Sequence, residues 1–331
     1  MSPSAANRLV VYHQGALGDF LLSLTVLQGL ADADPSLRFL FRTRREHASL
    51  IVNKAYYAGF SPGDAADLTP FFLSGVWKNA PIPEDLATAD TALILGQSSS
   101  IPFAENLSRR LQVPVYWIRS FPPEGGDEHV TRFIASQLEA RGLILEDATL
   151  RLEPTPEAMA FMDSLLAGSS ITRGDPILVV HMGSGGKKKI WPLSGWRMLL
   201  WRLAREWRGR VVTVLGPADG SLRAFVDEMR LEVGLTVIDG LNLPCLAALL
   251  ALAHAYIGND SGVTHLAAAM GAPTVVLFGP TRPEIWAPLG DNVHVIRLGW
   301  EVTEDFNPLA GEHVPSTDIE ELLCRLRPLL L

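Results

Sequence analysis

The chain has 331 residues, 48% of them hydrophobic and 19% charged, with a formal net charge of −8. That length suits two domains, and the apolar content excludes wholesale disorder. The acidic balance excludes a nucleic-acid binder that works by bulk electrostatics, while leaving room for a local basic pocket. Two cysteines without metal-like spacing, Cys245 and Cys324, point to a reduced, cytoplasmic protein. The longest charge-free runs, such as LNLPCLAALLALA, fall short of a membrane span.

Short β-rich runs alternate with helical patterns from the start. RLVVY (8–12), LRFLF (37–41), TALIL (91–95) and VPVYWI (113–118) read as buried strands. Helical patterns fall at 19–31, 46–58, 102–111 and 128–140. FLLSLTVLQGLADA has the outline of a secretory signal core. However, Asp19 precedes it, Arg8 alone supplies positive charge, and cleavage would discard a good strand and turn, so it reads as mature protein. Residues 61–85, rich in Pro, Gly and Asp, carry no readable element. Over 153–175 a Pro-bounded helix and a polar Ser/Thr/Gly stretch read as an inter-domain linker.

The second half repeats the pattern, with strands at 177–181, 211–216, 236–239, 255–258, 273–279 and 293–297. Helices fit 194–207, 221–232, 246–253 and 265–270. Near-continuous apolar strands alternating with helices mean parallel sheets covered on both faces. The expected fold is therefore α/β, with an N-terminal Rossmann-like domain over 1–165 and a second over 175–315. A C-terminal helix over 316–331 opens on a capping box from Thr317 to Glu320.

Ligands of such sheets bind beyond the carboxyl ends of the strands, so the loops there carry the chemistry. HQGALGD (13–19) has Gly15 and Gly18 to turn tightly and approach a ligand, but it is no full G-x-G-x-x-G, which weakens a dinucleotide reading. Read from this turn alone, Asp19 is a helix N-cap. HMGSGGKKKIWP (181–192) combines small residues, the Ser184 hydroxyl and three lysines, the ingredients of a phosphate cradle or of a solvated basic loop. LGPADGS (215–221) puts Asp219 where a carboxylate binds a ribose diol, or on an ordinary turn. IGNDSGVTHLAAAMGAPTVVLFGPT (257–281) sets Ser261, Gly262 and Val263 at a helix N-terminus, which favours an anion. Asp260 caps that turn or binds a hydroxyl, and His265 follows one turn in, where a packed histidine is the simplest reading. The FGPT turn (278–281) leaves the neighbouring strand. Together these loops suggest a diphosphate site. Asp32-Ala33-Asp34 ends a helix rather than leaving a strand, so it reads as a helix terminus and not as a metal site.

With these residues assembled, the chain resembles the lipopolysaccharide heptosyltransferases, glycosyltransferase family nine, over nearly its full length. GNDSGVTHLAAAMGAPTVVLFGPT is similar to the family's D-[ST]-G-x-x-H-L-A-A-A helix and F-G-P-T turn, GALGD to its N-terminal motif, and KKKIWP to its K-x-W-P element. The resemblance implies a GT-B fold, two doubly wound Rossmann-like domains whose parallel sheets face a central cleft. It also implies inverting transfer of a heptose from an ADP-linked donor to a lipid-linked oligosaccharide acceptor of the lipopolysaccharide core.

By the same resemblance Asp19 is the general base. Ser184, Lys189, Ser261 and Gly262 contact the donor diphosphate, Asp260 and His265 shape its pocket, and Asp219 replaces the family's Glu near the ribose. Lys189 assists departure of the diphosphate. On the acceptor side stand Gly15 and Gly18. Arg42, Arg44 and Arg45 either hold an anionic acceptor or form a solvated turn. His13-Gln14 stands where the family has a basic residue, and Arg282-Pro283 where it has Asp-Pro. A helix N-terminus favours the charged form of Asp19, whereas closure and exclusion of water push the other way. The ADP-sugar is a substrate, and the scheme calls for no cofactor or metal. Peripheral contact with the inner face of the inner membrane follows from the family's acceptor. The alternatives are a GT-B enzyme using another nucleotide sugar and a non-catalytic nucleotide-sugar-binding protein.

Overall fold

The computed structural model describes residues 7–172, 174–300, 302–303, 305–309 and 314–330. The chain divides into two compact units between Leu150 and Arg151.

The first unit carries a five-stranded parallel sheet in the order β3-β2-β1-β4-β5. The strands are β1 (Arg8–His13), β2 (Arg38–Thr43), β3 (Tyr57–Pro62), β4 (Thr91–Gly96) and β5 (Val115–Arg119). Its helices are α1 (Leu17–Ala33), α2 (Arg45–Ala48), α3 (Thr69–Phe72), α4 (Glu84–Ala87), α5 (Ile101–Arg110) and α6 (Val130–Glu139). β1 pairs with β2 on one side and β4 on the other, so the chain reverses its direction of travel across the sheet between β1 and β4. Val10, Ala92 and Ile94 are fully or almost fully buried and pack with Phe103 and Leu107 of α5. Nearly every residue from Phe20 to Ala31 of α1 is buried, as expected of a helix apolar all round. Its Gly29 lets another segment lie close: a Cβ there would stand 2.3 Å from the Glu146 carbonyl oxygen.

The helix expected over 46–58 is replaced by the single turn of α2, a run of turns over 49–56 and the start of the edge strand β3. Ala, Glu and Lys in this stretch favour a helix locally. Pairing of Phe39–Thr43 with Tyr57–Pro62, through a register irregularity at Phe39/Leu40, outweighs that preference. The stretch 61–85 folds into short turns and one-turn helices, pinned by buried Leu68 and Phe71.

The second unit carries a six-stranded parallel sheet in the order β11-β10-β9-β6-β7-β8. Its strands are β6 (Ile177–His181), β7 (Arg210–Leu215), β8 (Thr236–Asp239), β9 (Ala255–Asn259), β10 (Thr274–Phe278) and β11 (Val293–Arg297). The helices are α7 (Pro156–Gly168), α8 (Leu193–Glu206), α9 (Arg223–Val233), α10 (Leu243–Ala251), α11 (Gly262–Ala269), α12 (Pro283–Trp286) and α13 (Ser316–Leu330). β6, β9 and β10 are buried along their whole lengths, as a central parallel strand covered by helices must be. Direction reverses between β6 and β9.

Two boundaries differ from expectation. The helix in the supposed linker, α7, packs against α10 and belongs to the second unit, so the division falls at 150/151 and not at 165–175. The C-terminal helix begins at Ser316, which puts Thr317 inside the first turn instead of at the cap. That helix packs on α8 and β9 as part of the second unit. Asp34 ends α1, its carboxylate accepting from the Ser36 amide at 3.0 Å, a helix terminus as the sequence suggested. Among the described residues, no helix is long and apolar enough to cross a membrane.

Candidate functional site

In the second unit the loops leaving β6, β9 and β10 meet at the place where the strand order reverses, the position at which such sheets bind ligands. Asp260 is the hub. Its Oδ2 takes an ion pair from Lys189 Nζ at 2.8 Å and a hydrogen bond from Thr281 Oγ1 at 2.8 Å. Its backbone carbonyl accepts from Ser184 Oγ at 2.7 Å. Asn259, buried at the end of β9, fastens the same loops: it donates to the Met182 carbonyl at 2.7 Å and accepts from the Trp191 amide at 3.2 Å. Lys189 lies in the short turn Lys187–Lys189, and Trp191 anchors the loop's end in the core against Trp196.

Ser261 is the N-cap of α11, its hydroxyl accepting from the Thr264 amide. The amides of Gly262 and Val263 stand at the helix start, where an α-helix lacks intrahelical acceptors for its first donors. Ser184, Lys189, Asp260, Ser261 and Gly262 therefore come together. They bring an ammonium group and helix-start amides to one place, donors of the kind an anion requires, while the Ser184 hydroxyl is spent on the Asp260 carbonyl. His265 is buried inside α11.

Asp219 does not take the expected place. It is buried, and its Oδ2 lies 3.1 Å from His181 Nε2 and accepts from the Gly216 amide at 2.7 Å. A carboxylate so enclosed is turned inward onto the strand end and is not presented to a ribose diol. Burial pushes its pKa up, but the His181 bond and charge and the Gly216 amide outweigh this and hold it below the usual carboxylate range. His181 Nδ1 in turn lies 3.3 Å from Ser261 Oγ, so Asp219 and His181 orient the cap of α11. Gly183 permits the arrangement, since a Cβ there would meet Asp219 Oδ1 at 1.7 Å. Gly183→Ala is expected to displace the pair and cost about 1–3 kcal/mol, readable as a lower denaturation midpoint in urea.

In the first unit a pocket of about 320 Å³ opens at the ends of β1, β4 and β5. Tyr12, His13, Gln14, Gly15 and Asp19 form the β1 side of its wall. Asp19 is the third residue of α1 and not its N-cap; its carboxylate accepts from the amide of the capping residue, Ala16, at 3.1 Å. Gly15 is required here because a Cβ would stand 2.8 Å from His13 Cε1 and 3.0 Å from Asp19 Cβ. Gly18 is the second residue of α1.

Arg42 is removed from the acceptor side. It is buried and donates two hydrogen bonds to Asp67, at 2.8 and 2.9 Å, and two to Asp85, at 2.6 and 2.5 Å. Burial works against its charge, but the two carboxylates raise its pKa. Satisfying two acids of the 61–85 excursion explains its direction. Arg44 is exposed and donates to the Gln14 carbonyl at 3.3 Å, and Arg45 lies over the Phe60 ring at 5.4 Å.

His13 and His47 flank Phe20, which stacks on His47 at 4.9 Å and meets His13 edge-on at 5.5 Å. Burial, with the charge of Arg44, pushes His47 down to about 4, and burial, His47 and Arg44 push His13 to about 3. Both rings are neutral in the fold, whereas the unfolded chain takes up protons below the ordinary value of 6.5. Their contribution to stability is complete above that value and drains away as the pH falls through the folded values. The thermal midpoint should therefore fall between pH 7 and 4, and His47→Phe, which keeps the ring stack, should flatten that decline.

Asn259, Thr264, His181 and His13 also take part, although their local sequence assigns them no role. A signal for two of them was present: His13 and His181 each end the first strand of a unit, directly after an apolar run. Among the described residues no cluster of three or more His, Cys, Asp or Glu side chains could hold a metal ion.

Residues 84–310 match the sequence pattern of glycosyltransferase family 9 (heptosyltransferase). The chain is 39% identical over 127 residues to lipopolysaccharide heptosyltransferase 1 of Pseudomonas aeruginosa, a match covering 37% of this chain and 34% of that protein. The chain thus spans about a third of the length of the curated relatives it matches first. Its fold is similar to that of the family 9 glycosyltransferase from Veillonella parvula, with a TM-score of 0.76, 18% identity and coverage of 99% and 98% of the two chains. For the structure of Escherichia coli ADP-heptose LPS heptosyltransferase II the values are 0.70, 20%, 97% and 99%. Two parallel Rossmann-like sheets, a polar loop cluster where the strand order of the second reverses, and a family match over more than half the sequence lead to one conclusion: the chain belongs to glycosyltransferase family 9, the heptosyltransferases, with the GT-B fold.

Proposed function

We propose that the protein transfers a heptose, with inversion, from an ADP-heptose donor to a hydroxyl of a lipopolysaccharide core saccharide. The observation that carries the reading is the convergence of Ser184, Lys189, Asp260 and Ser261 at the strand reversal of the second unit. Supporting it, one relative is named as a lipopolysaccharide heptosyltransferase and one structural neighbour as an ADP-heptose enzyme.

In this scheme Lys189, Ser184, Ser261 and the α11 amides hold the donor diphosphate, with Asp260 and His265 shaping the pocket. The leaving diphosphate gains negative charge as the anomeric bond breaks. Fixed donors that bind this growing charge more tightly than the ground state lower the barrier. Lys189 and the helix-start amides are those donors, and the scheme routes no step through a metal. Asp19 takes the proton from the acceptor hydroxyl as the carbon–oxygen bond forms on the opposite face of the sugar. The enzyme is proposed to work in the cytoplasm, in peripheral contact with the inner face of the membrane that carries its lipid-linked acceptor. Its two unpaired cysteines, Cys245 and Cys324, suit a reduced compartment.

The test is donor profiling. ADP-, GDP- and UDP-sugars are offered with core saccharides, and nucleotide release and product stereochemistry are measured. ADP release with an inverted linkage is expected. Preference for a GDP- or UDP-sugar would assign another donor, and binding of ADP without release to any acceptor would make the protein a binding module.

A further inference from the structure

We infer that the pocket of the first unit is built for an uncharged sugar ring, so that the saccharide carrying the accepting hydroxyl binds there as a neutral group and not through a phosphate or carboxylate. The name acceptor rests on the transferase reading above; the charge preference rests on the pocket itself.

Among the described lining residues Asp19 alone carries a charge at neutral pH, and it is negative. An anion seated here would meet a carboxylate in the wall and no cation among the lining side chains. The arginines that the sequence places nearby are engaged elsewhere. Arg42 is buried between Asp67 and Asp85, Arg45 lies over Phe60, and Arg44, the nearest, stands outside the lining and spends a guanidinium N–H on the Gln14 carbonyl.

The remaining polar groups suit hydroxyls. A neutral imidazole at His13, the amide of Gln97 and the hydroxyls of Ser99 and Ser120 each both donate and accept, as a sugar hydroxyl does. Phosphates and carboxylates only accept, and proteins meet them with Arg, Lys or clustered amides. Two wall atoms, His13 Nδ1 and Gln97 Nε2, are buried without a hydrogen-bond partner. Buried polar atoms of this kind call for a partner, and a ring bearing several hydroxyls supplies more than one.

The apolar side fits as well. Phe72 stacks on Phe103 at 4.2 Å with the planes 4° apart, yet remains 44% exposed. Such a rigid, half-open aromatic ring packs against the C–H face of a sugar. The volume of about 320 Å³ lies at the low end of the roughly 300–1,000 Å³ typical of small-molecule pockets, which suits one ring.

The experiment compares three methyl glycosides on the full chain: an uncharged heptose, the same heptose bearing a phosphate monoester, and a uronic acid. Each is titrated by ligand-observed NMR, and each is offered with ADP-heptose in a transfer assay. The neutral glycoside is expected to bind at least tenfold more tightly than either anion and to lead in kcat/KM. Gln97→Arg, which puts a cation in the wall, is expected to shift the preference at least tenfold toward the phosphorylated glycoside while ADP-heptose affinity is unchanged. Equal or tighter binding of an anionic glycoside to the unaltered protein, absence of binding by the neutral one, or no shift with Gln97→Arg would each overturn the inference. Failure of ADP-heptose to bind or react, with the neutral preference intact in NMR, would overturn the transferase reading and leave the pocket's selectivity standing.

Discussion

Asp19→Asn is expected to lower turnover by about 10²–10⁴-fold, the usual contribution of a positioned acid–base group, while ADP-heptose affinity stays as it was. The substitution is conservative in the fold. Asn keeps the side-chain oxygen that accepts the Ala16 amide, so the first turn of α1 remains capped, and a residue of nearly equal size fits beside Gly15 and His13. What is lost is the basicity that takes the acceptor proton. The variant therefore separates the two descriptions of this residue. A helix-closing role alone predicts a small change in stability and full activity, whereas a base predicts normal melting, normal donor binding and almost no transfer. Titration calorimetry with ADP, thermal melting and single-turnover transfer together read all three, and unchanged turnover would reject the base.

Lys189→Ala is expected to lower kcat/KM for the donor by about 10²–10³-fold, because a fixed charge at the leaving diphosphate acts most strongly as that charge grows. A second effect accompanies it. Asp260 is almost fully buried, and its carboxylate loses the ammonium at 2.8 Å, leaving Thr281 as its side-chain donor. Removing one member of a buried pair costs about 3–5 kcal/mol, and less here because Lys189 is one-third exposed. Adding Asp260→Asn removes the uncompensated charge. Lys189→Ala with Asp260→Asn should thus regain much of the melting temperature lost by the single variant and none of its activity. Recovery of activity along with stability would mean that Lys189 serves only to neutralise Asp260.

Much of this site is local and was legible. The run from Ala255 to Thr281 carries its own instructions: a strand buried on both faces, a serine cap, small residues that let α11 lie close, Gly271 in the left-handed region at φ 83°, and another buried strand. The stretch 46–58 was not legible, because its helical preference is local, whereas the strand that takes over at Tyr57 is made by pairing with β2 across the sequence.

The sequence by itself determined the alternation of apolar strands and helices, hence two parallel sheets, and the loops in which ligands must lie. Burial periodicity and turn chemistry act over a few residues, and they are written in neighbouring side chains. Only the tertiary structure decided what each charged side chain faces. Arg42 and Asp219 read as ligand-binding groups in the chain, and both turn inward, one to Asp67 and Asp85, the other to His181. A buried charge is held by whichever opposite partner the fold brings within reach, and those partners lie 25, 43 and 38 residues away.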